Sequence, residues 1–316
     1  MKKKILLIGC GNIGFRHLQG LLKINLDLDI YIIEKSKVKI LEQSKKIQNM
    51  SLNNKKITFS NNFLLKNIKF DLVICATTSF KRYKLLKKLI LKFKFSKIII
   101  EKLAFQNILD FNKSLKLFKK NKVNCWVNCP RREQEIYKKI YNENKKNKIL
   151  SIEVSGNKWN LASNSIHFFD LFYFFNKSLI NLNQIEENLK IIPSKHHKFL
   201  ELTGKFKISN ENYFILLNDQ KKGRDIIVKI KTLNKIYYIN ESKQFVKIQY
   251  KNKNIKKKIK ILLQNELTKI LAKKILYKKK INLSTLSETY LSHKLLFSAF
   301  KKYFYKKREV FNCPIT

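Results

Sequence analysis

Three glycines near the beginning of the chain have the spacing of a phosphate-binding turn. Gly9, Gly11 and Gly14 form the pattern G-x-G-x-x-G in a chain with only 7 glycines among 316 residues, so chance explains the pattern poorly. In such a pattern the first glycine allows a sharp turn, the second leaves room for a pyrophosphate, and the third allows a helix to pack closely on a strand. We therefore expect Gly9, Gly11, Asn12, Ile13 and Gly14 to contact a dinucleotide cofactor, whose phosphates face the helix N-terminus.

An acidic residue follows where a dinucleotide-binding turn requires one. Residues 30–33 are apolar and predict a second strand, and Glu34 comes directly after them. A carboxylate at this position accepts hydrogen bonds from the ribose of NAD and repels the 2′-phosphate of NADP. Lys35 and Lys37 lie beside Glu34 and weaken this repulsion. The sequence therefore predicts NAD as the cofactor and leaves NADP open.

A parallel α/β sheet is needed to hold these residues. Apolar strand patterns and helical patterns alternate over the first 128 residues, which predicts a doubly wound Rossmann sheet. The strands at 71–76 and 97–100 are apolar throughout, as in a sheet buried on both faces. Thr77, Glu101 and Lys102 follow these strands, at the edge where open sheets bind ligands. We expect all three to contact the cofactor.

The pattern changes in the second part of the chain. Short strands separated by polar turns predict an α+β domain with a largely antiparallel open sheet. The predicted strands are 150–154, 200–209, 213–217, 226–231, 235–239 and 245–250, and the predicted C-terminal helices are 259–277 and 285–305. We therefore predict a dinucleotide-binding domain at 1–122 and a domain at 123–316 for substrate binding and self-association.

Three further stretches carry polar side chains suited to chemistry. They are Glu101-Lys102-Leu103-Ala104, Asn128-Cys129-Pro130-Arg131-Arg132 and His167-x-x-Asp170. Together with the glycine turn and the His17 that follows it, the chain resembles the Gfo/Idh/MocA family of NAD(P)-dependent sugar oxidoreductases. Residues 283–296 resemble the closing helix of that family, so the resemblance spans nearly the whole chain. It implies a Rossmann domain followed by an α/β domain whose open sheet holds substrate or a second subunit, in a homo-oligomer.

The resemblance also implies a catalytic pair. Lys102 matches the lysine of the family's Glu-Lys-Pro motif, which lies beside nicotinamide and substrate, where an ammonium stabilises a developing alkoxide. Leu103 replaces the proline of that motif, which predicts a looser turn. His167 matches the family's histidine base, which takes the hydroxyl proton as the hydride leaves. Asp170 lies one helical turn further on and is expected to orient His167.

The expected substrate side differs from the common pattern of that family. Ser163 stands where the family commonly has an aspartate, and Asn160 and Asn164 flank it. A wall of hydroxyl and amide groups suits a large hydroxylated or N-acylated sugar, and the run is similar to those of members linked to surface-glycan sugar pathways. Arg131 and Arg132 match basic residues on the family's substrate side and are expected to pair with a carboxylate or phosphate.

Composition excludes some classes of function. The chain has 68 Lys and Arg against 22 Asp and Glu, a formal net charge of +46. The lysines are spread from end to end, as an AT-rich codon pool would produce, and not gathered into the basic stripe of a specific nucleic-acid-binding domain. We expect this charge to steer anionic small molecules towards the protein. The five cysteines include no C-x-x-C pair, which predicts reduced, buried thiols and no metal site.

The N-terminal residues admit one other interpretation. Lysines followed by an apolar run and Cys10 resemble a lipoprotein signal, but residues 5–8 are shorter than the apolar region of an export signal. We therefore expect a cytoplasmic protein without a transmembrane helix. The sequence predicts an enzyme that transfers a hydride between a nicotinamide cofactor and a sugar or nucleotide-activated sugar. The alternatives are reduction of a different carbonyl or imine, and a non-catalytic cofactor-bound sensor or polyanion-binding protein on the same fold.

Overall fold

The chain divides into two compact units. The computed structural model describes residues 2–52, 54–63, 68–178, 184–195, 199–219, 225–304 and 312–315. Unit 1 comprises Met1–Asn128 and Leu262–Glu288, and unit 2 comprises Cys129–Ile261 and Thr289–Thr316. The helices are α1 Asn12–Leu22, α2 Lys37–Gln48, α3 Arg82–Lys92, α4 Ile108–Lys120, α5 Glu135–Glu143, α6 Leu161–Asn176, α7 Gln264–Leu276 and α8 Tyr290–Phe304. The strands are β1 Lys3–Ile8, β2 Leu28–Ile33, β3 Lys55–Ser60, β4 Lys69–Phe70, β5 Leu72–Cys75, β6 Lys94–Phe95, β7 Lys97–Glu101, β8 Asn124–Asn128, β9 Ser151–Gly156, β10 Gln184–Pro193, β11 Leu200–Ser209, β12 Phe214–Asp219, β13 Ile227–Lys231, β14 Lys235–Asn240, β15 Phe245–Tyr250 and β16 Lys253–Lys258.

Unit 1 contains the predicted Rossmann sheet. Among the described residues, parallel strands form one sheet in the order β3–β2–β1–β5–β7–β8. Strands β1 and β5 are fully or almost fully buried at their apolar residues, because helices cover both faces of a doubly wound sheet. The strand order changes direction between β1 and β5, which is where open α/β sheets bind nucleotides. The predicted fold class is confirmed for this unit.

The extent of unit 1 differs from the predicted boundary between residues 122 and 123. β8 pairs in parallel with β7 and so completes the first sheet. The chain also returns to unit 1 with α7, whose Leu267 and Leu271 belong to the same core as β1. Gly20 permits close packing of α1 on α7, since an added Cβ would lie 2.4 Å from the carbonyl oxygen of Asn265. An amphipathic helical pattern does not specify which sheet the helix covers, and the sequence therefore could not assign α7.

Unit 2 contains a largely antiparallel sheet with a buried helix. The strand order is β10–β11–β12–β9–β13–β14–β15–β16, and only β9 and β12 pair in parallel among the strands described. Helix α6 buries its aromatic residues over this sheet, and Phe169 meets Phe206 of β11 edge to face with ring centroids 6.2 Å apart. The predicted α+β class of the second domain is confirmed.

Several elements differ from the predictions. Helix α5 and strands β10 and β16 were not predicted, and β16 is an exposed, lysine-rich strand that pairs in register with β15. Helices α7 and α8 begin later than predicted, and Tyr305, the predicted end of α8, lies outside the described residues. All five cysteines are buried, as predicted. Among the helices described, none has the length and apolar character needed to cross a membrane.

Candidate active site

The glycine turn has the geometry that the sequence predicts. Gly9 has φ +83°, a left-handed conformation that favours glycine. A Cβ added at Gly14 would lie 2.0 Å from the carbonyl oxygen of Gly9, so only glycine allows α1 to approach β1 this closely. Gly11 differs, because an added Cβ would meet no atom nearer than Lys39 Nζ at 3.9 Å. The turn therefore leaves open space at Gly11, as a bound pyrophosphate requires.

Backbone donors also face this open space. Helix α1 begins at Asn12, directly after Gly11, and no side chain caps its first turn. The first N–H groups of a helix lack partners within the helix, and they bind anions in many nucleotide sites. Ile13 is 40% exposed although it is apolar. The glycine turn and the N-terminus of α1 together fit the pyrophosphate of a dinucleotide.

Glu34 is held at the end of β2 by two backbone groups. Its carboxylate accepts from the N–H of Cys10 at 2.7 Å and from the N–H of Ser36 at 3.1 Å. Burial, assisted by the Glu34 charge, raises the pKa of the Cys10 thiol to about 12, so this thiol remains protonated at neutral pH. Glu34 is thus fixed beside the glycine turn, in the position where the sequence predicts a partner for the ribose.

Lys39 is a residue of this region that the sequence analysis missed. Ser36 is the N-cap of α2, and its hydroxyl accepts from the N–H of Lys39 at 3.3 Å. This cap sets the direction of α2 and brings the ammonium of Lys39 near Gly11. Lys35 and Lys37, the cations named from the sequence, are exposed. A serine N-cap followed by a lysine three residues later is the signal that could have identified Lys39.

Two predicted cofactor-binding residues lie after strands of unit 1. Thr77 follows β5, and its methyl group lies 3.1 Å from a Cβ added at Gly9, so its side chain packs against the glycine turn. Lys102 follows β7 and is half-buried. The peptide bond between Lys102 and Leu103 is cis, and Leu103 is fully buried. Both Thr77 and Lys102 therefore lie at the carboxyl edge of the parallel sheet.

One carboxylate oxygen of Glu101 has its partners inside unit 1. The Oε1 atom lies 2.9 Å from Nε2 of His17 and accepts from the amide of Asn128 at 2.5 Å. Glu101 and His17 are both buried. Through this contact His17 joins α1 to the end of β7. Contact of Glu101 with the cofactor stays a prediction.

Both ring nitrogens of His17 have hydrogen-bonding partners inside unit 1. Nδ1 of His17 lies 2.9 Å from the hydroxyl of Thr268, and that hydroxyl donates to the carbonyl of Gln264 at 2.7 Å. Burial raises the pKa of Glu101, but its interactions with His17, Asn128 and Lys102 outweigh burial and lower that pKa overall. Glu101 and His17 therefore form a buried, hydrogen-bonded pair.

In unit 2, the predicted base His167 lies on α6 and is buried, with 8% of its surface exposed. Asn160, the residue that precedes α6, makes no side-chain cap bond. A residue of β11 caps the N-terminus of this helix instead. Glu201 of β11 accepts from the N–H groups of Ala162 and Ser163, each at 3.0 Å. Glu201 has no counterpart among the predicted site residues. It places a carboxylate against Ser163, where the resembled family commonly has an aspartate.

The two asparagines predicted to bind substrate have different surroundings. Asn160 is exposed and has φ +58°, which allows the chain to turn sharply into α6. The side chain of Asn164 donates to the carbonyl of Trp159 at 2.7 Å. Asn164 therefore stabilises the entry to α6, and Asn160 has the more accessible amide of the two.

Arg132 forms a buried ion pair within unit 2, and its predicted contact with a substrate anion stays a prediction. Its guanidinium binds the carboxylate of Asp170 through two hydrogen bonds of 2.7 and 2.8 Å. Both side chains are almost completely buried, at 2% and 1% exposure. A bidentate pair of this kind satisfies both charges internally. The prediction that Asp170 also orients His167 stays a prediction.

Arg131 is likewise paired, but it is more accessible. Its guanidinium binds Glu241 through hydrogen bonds of 2.9 and 2.8 Å and lies 4.5 Å from the ring centroid of Phe168. Tyr137 donates to the same carboxylate at 2.7 Å. Burial lowers the pKa of Arg131, but Glu241 outweighs it and raises that pKa overall. The guanidinium of Arg131 thus already has one anionic partner. Its contact with a substrate stays a prediction.

Comparison with known proteins confirms the two-domain fold that the resemblance implied. An oxidoreductase from Agrobacterium radiobacter, solved with NAD+, L-tartaric acid and magnesium, is 12% identical, with a TM-score of 0.70 over 95% of this chain and 96% of that chain. The UDP-N-acetylglucosamine 3-dehydrogenase GnnA from Acidithiobacillus ferrooxidans is 8% identical, with a TM-score of 0.71 over 95% and 97% of the two chains. A super-repressor mutant of Gal80p from Saccharomyces cerevisiae is 13% identical, with a TM-score of 0.70 over 95% of each chain.

No protein-family model and no curated protein matches the sequence of this chain. At identities of 8–13%, the likeness concerns the fold and does not extend to individual site residues. The chain therefore shares the two-domain fold of these solved structures.

Proposed function

We propose that this protein is an NAD(P)-dependent oxidoreductase that transfers a hydride between nicotinamide and a sugar or nucleotide-activated sugar. The observation that carries this proposal is the glycine turn, where the space at Gly11 is open while Gly14 packs against Gly9. A turn that merely joined a strand to a helix would not need open space above its second glycine. The likeness to oxidoreductases and to a nucleotide-sugar dehydrogenase supports the same class of reaction.

The chemistry requires one group that stabilises negative charge and one that takes a proton. Bound nicotinamide supplies the hydride acceptor or donor. Lys102 follows a buried strand, which restricts its backbone, and its ammonium would stabilise an alkoxide that develops on the substrate. His167 would remove the hydroxyl proton, since an imidazole titrates near neutral pH and suits general base catalysis. The serine and asparagines at the start of α6 would contact the polar groups of a hydroxylated or N-acylated sugar.

The proposal extends to the physiological context. A nucleotide sugar as substrate would place the protein in the synthesis of surface glycans, in the cytoplasm where such substrates are made, and the resembled family suggests a homo-oligomer. The net charge of +46 would favour encounter with an anionic nucleotide sugar.

A non-catalytic sensor on the same fold is the second candidate. It is favoured by the likeness to a super-repressor mutant of Gal80p and by the serine at position 163. A sensor would bind the dinucleotide as the enzyme does, but it would not exchange hydride. Cofactor binding alone therefore does not separate the two candidates.

Turnover separates them. The protein would be incubated with NAD and with UDP-N-acetylglucosamine or other nucleotide sugars, and NADH formation would be followed by absorbance. We expect NADH to form with at least one of these sugars. The variant His167→Ala, which removes the proposed base, should slow the reaction strongly. NADH binding without turnover of any sugar would favour the sensor.

The choice between the two dinucleotides tests the surroundings of Glu34. Its carboxylate is fixed by Cys10 and Ser36, and a 2′-phosphate would face it, so NADH should bind more tightly than NADPH. Fluorescence titration with both cofactors would measure the difference. If the wild type binds NADH and NADPH with equal affinity, the predicted preference for NAD is wrong. Loss of NADPH binding in Lys39→Met would then show that the Lys39 ammonium neutralises the Glu34 carboxylate.

A further inference from the structure

A buried guanidinium connects two strand ends in unit 1. Arg82 is the first residue of α3 and is 1% exposed. Its Nη1 atom donates to the carbonyl oxygens of Glu101 at 2.6 Å and Ala104 at 2.8 Å, and also to that of Leu103. Its Nη2 atom donates to the carbonyl oxygen of Thr77. One side chain thus binds the backbone that follows β7 and the backbone that follows β5.

These contacts differ from those of an ordinary buried arginine. Both Nη atoms donate to backbone carbonyl oxygens, so Arg82 binds the backbone of two segments of the chain. Burial lowers the pKa of Arg82, while the nearby carboxylate of Glu101 acts in the opposite direction. Because the guanidinium is planar and rigid, its donors fix the relative positions of the carbonyls that they bind.

The bound carbonyls lie on both sides of Lys102. A proline at position 103 would restrict the backbone through its ring, and leucine has no such ring. In this chain, hydrogen bonds from Arg82 to the carbonyls of residues 101, 103 and 104 restrict the same segment. These hydrogen bonds would restrain the turn where Leu103 lacks the ring of a proline, and the looser turn expected from the sequence stays a prediction.

We propose that Arg82 is a positioning residue that holds the backbone of Lys102 for hydride transfer. The catalytic part of this inference rests on the proposed function. The structural part concerns only the segment 101–104, and it can be tested without turnover. Arg82 would act by keeping the Lys102 ammonium within reach of the developing alkoxide, because small misplacements of a catalytic group reduce rates strongly.

The structural part is tested by amide hydrogen exchange of the full chain. In Arg82→Met, peptides covering residues 101–106 should exchange at least about tenfold faster, while peptides from β1 should exchange at the wild-type rate. Lys87→Met is the matched control, since it removes one cation from an exposed position on the same helix. Unchanged exchange at 101–106, or an equal increase throughout unit 1, would overturn the inference.

The catalytic part is tested by kinetics with UDP-N-acetylglucosamine and NAD. Arg82→Met should lower kcat by roughly 10- to 100-fold and leave the KM for NAD within about threefold, because a displaced Lys102 affects the reaction more than cofactor binding. Arg82→Lys keeps the positive charge but lacks the planar guanidinium. It should show the same kcat defect, because the proposed role depends on the fixed directions of the guanidinium donors. This variant also provides the test if Arg82→Met does not fold. A wild-type kcat in either variant would overturn the positioning role. If the wild type turns over none of the nucleotide sugars named under the proposed function, that function fails, and the exchange experiment still decides whether Arg82 restrains the segment.

Discussion

Glu101 in unit 1 and Glu201 in unit 2 are both buried, yet their surroundings differ in one respect. Glu101 is hydrogen-bonded to His17, and its pKa is lowered although burial alone would raise it. Glu201 accepts backbone N–H groups at the start of α6, and burial raises its pKa because its hydrogen bonds do not outweigh the loss of water. The dominant effect on the pKa is thus the set of polar partners for Glu101 and desolvation for Glu201.

Each glutamate is also next to a residue proposed for catalysis. Glu101 directly precedes Lys102, and Glu201 caps the helix that carries His167. The two side chains proposed for catalysis therefore have different neighbours, a buried Glu–His pair in unit 1 and a helix cap in unit 2.

The largest effect is expected for Lys102 and His167 themselves. Lys102→Ala and His167→Ala should each slow single-turnover hydride transfer by about 10²–10⁴-fold, and under the proposed mechanism, in which both groups serve one hydroxyl, the double variant should not multiply the two losses. NADH affinity should remain close to wild type in all three variants. A near-full rate in His167→Ala would contradict the acid–base assignment, and multiplicative losses would show that the two residues act independently.

The next effect concerns the buried Glu101–His17 pair of unit 1. His17→Leu removes the hydrogen-bonding partner of Glu101 and should destabilise unit 1 by about 3–5 kcal/mol, because it leaves a buried carboxylate without that partner. Urea unfolding would measure the loss. The double variant His17→Leu with Glu101→Gln removes the charge as well and should regain part of the stability. If the double variant is no more stable than His17→Leu, the carboxylate charge is not the cause.

A smaller effect is expected from pH. The pKa of Glu101 is lowered in the folded chain, so its stabilising contribution is present above the ordinary glutamate pKa and is lost as the pH falls through the folded pKa. The raised pKa of Glu201 has the opposite sign, because protonation at low pH relieves the cost of its buried charge.

Isosteric variants separate the two glutamates. Urea midpoints of Glu101→Gln and Glu201→Gln would be compared with wild type across acidic and neutral pH. The advantage of wild type over Glu101→Gln should grow as the pH rises, and its advantage over Glu201→Gln should shrink. Slopes of the same sign would show that the two sites do not differ as described.

The sequence predicts unit 1 better than unit 2, and the reason lies in the range of the interactions. The glycine turn is local, since Gly9 and Gly14 act on a strand and helix that adjoin them in sequence. The Arg132–Asp170 and Arg131–Glu241 pairs join residues 38 and 110 positions apart, and no periodicity reveals such partners. From the sequence alone, both arginines were therefore predicted to be accessible to a substrate anion. Only the folded chain shows the carboxylates with which they pair.

Arg82 and Glu201 illustrate the same limit. The sequence around Arg82 is rich in lysine, and nothing in it distinguishes a buried guanidinium from a surface cation. Glu201 caps a helix that begins 40 residues earlier in the sequence, at Leu161. Local patterns predicted the helix and the strand, but only their packing shows which carboxylate serves as the cap.

The central claim, that the glycine turn binds a dinucleotide, is tested most directly by NADH titration of Gly11→Ala. Gly11 has φ −69°, and an added Cβ would have open space around it, so this variant should fold with a stability within about 1 kcal/mol of wild type. The same methyl group would occupy the space required by the pyrophosphate, and NADH should bind at least about tenfold more weakly. A stable Gly11→Ala protein that binds NADH as tightly as wild type would contradict the assignment of this turn as the cofactor site.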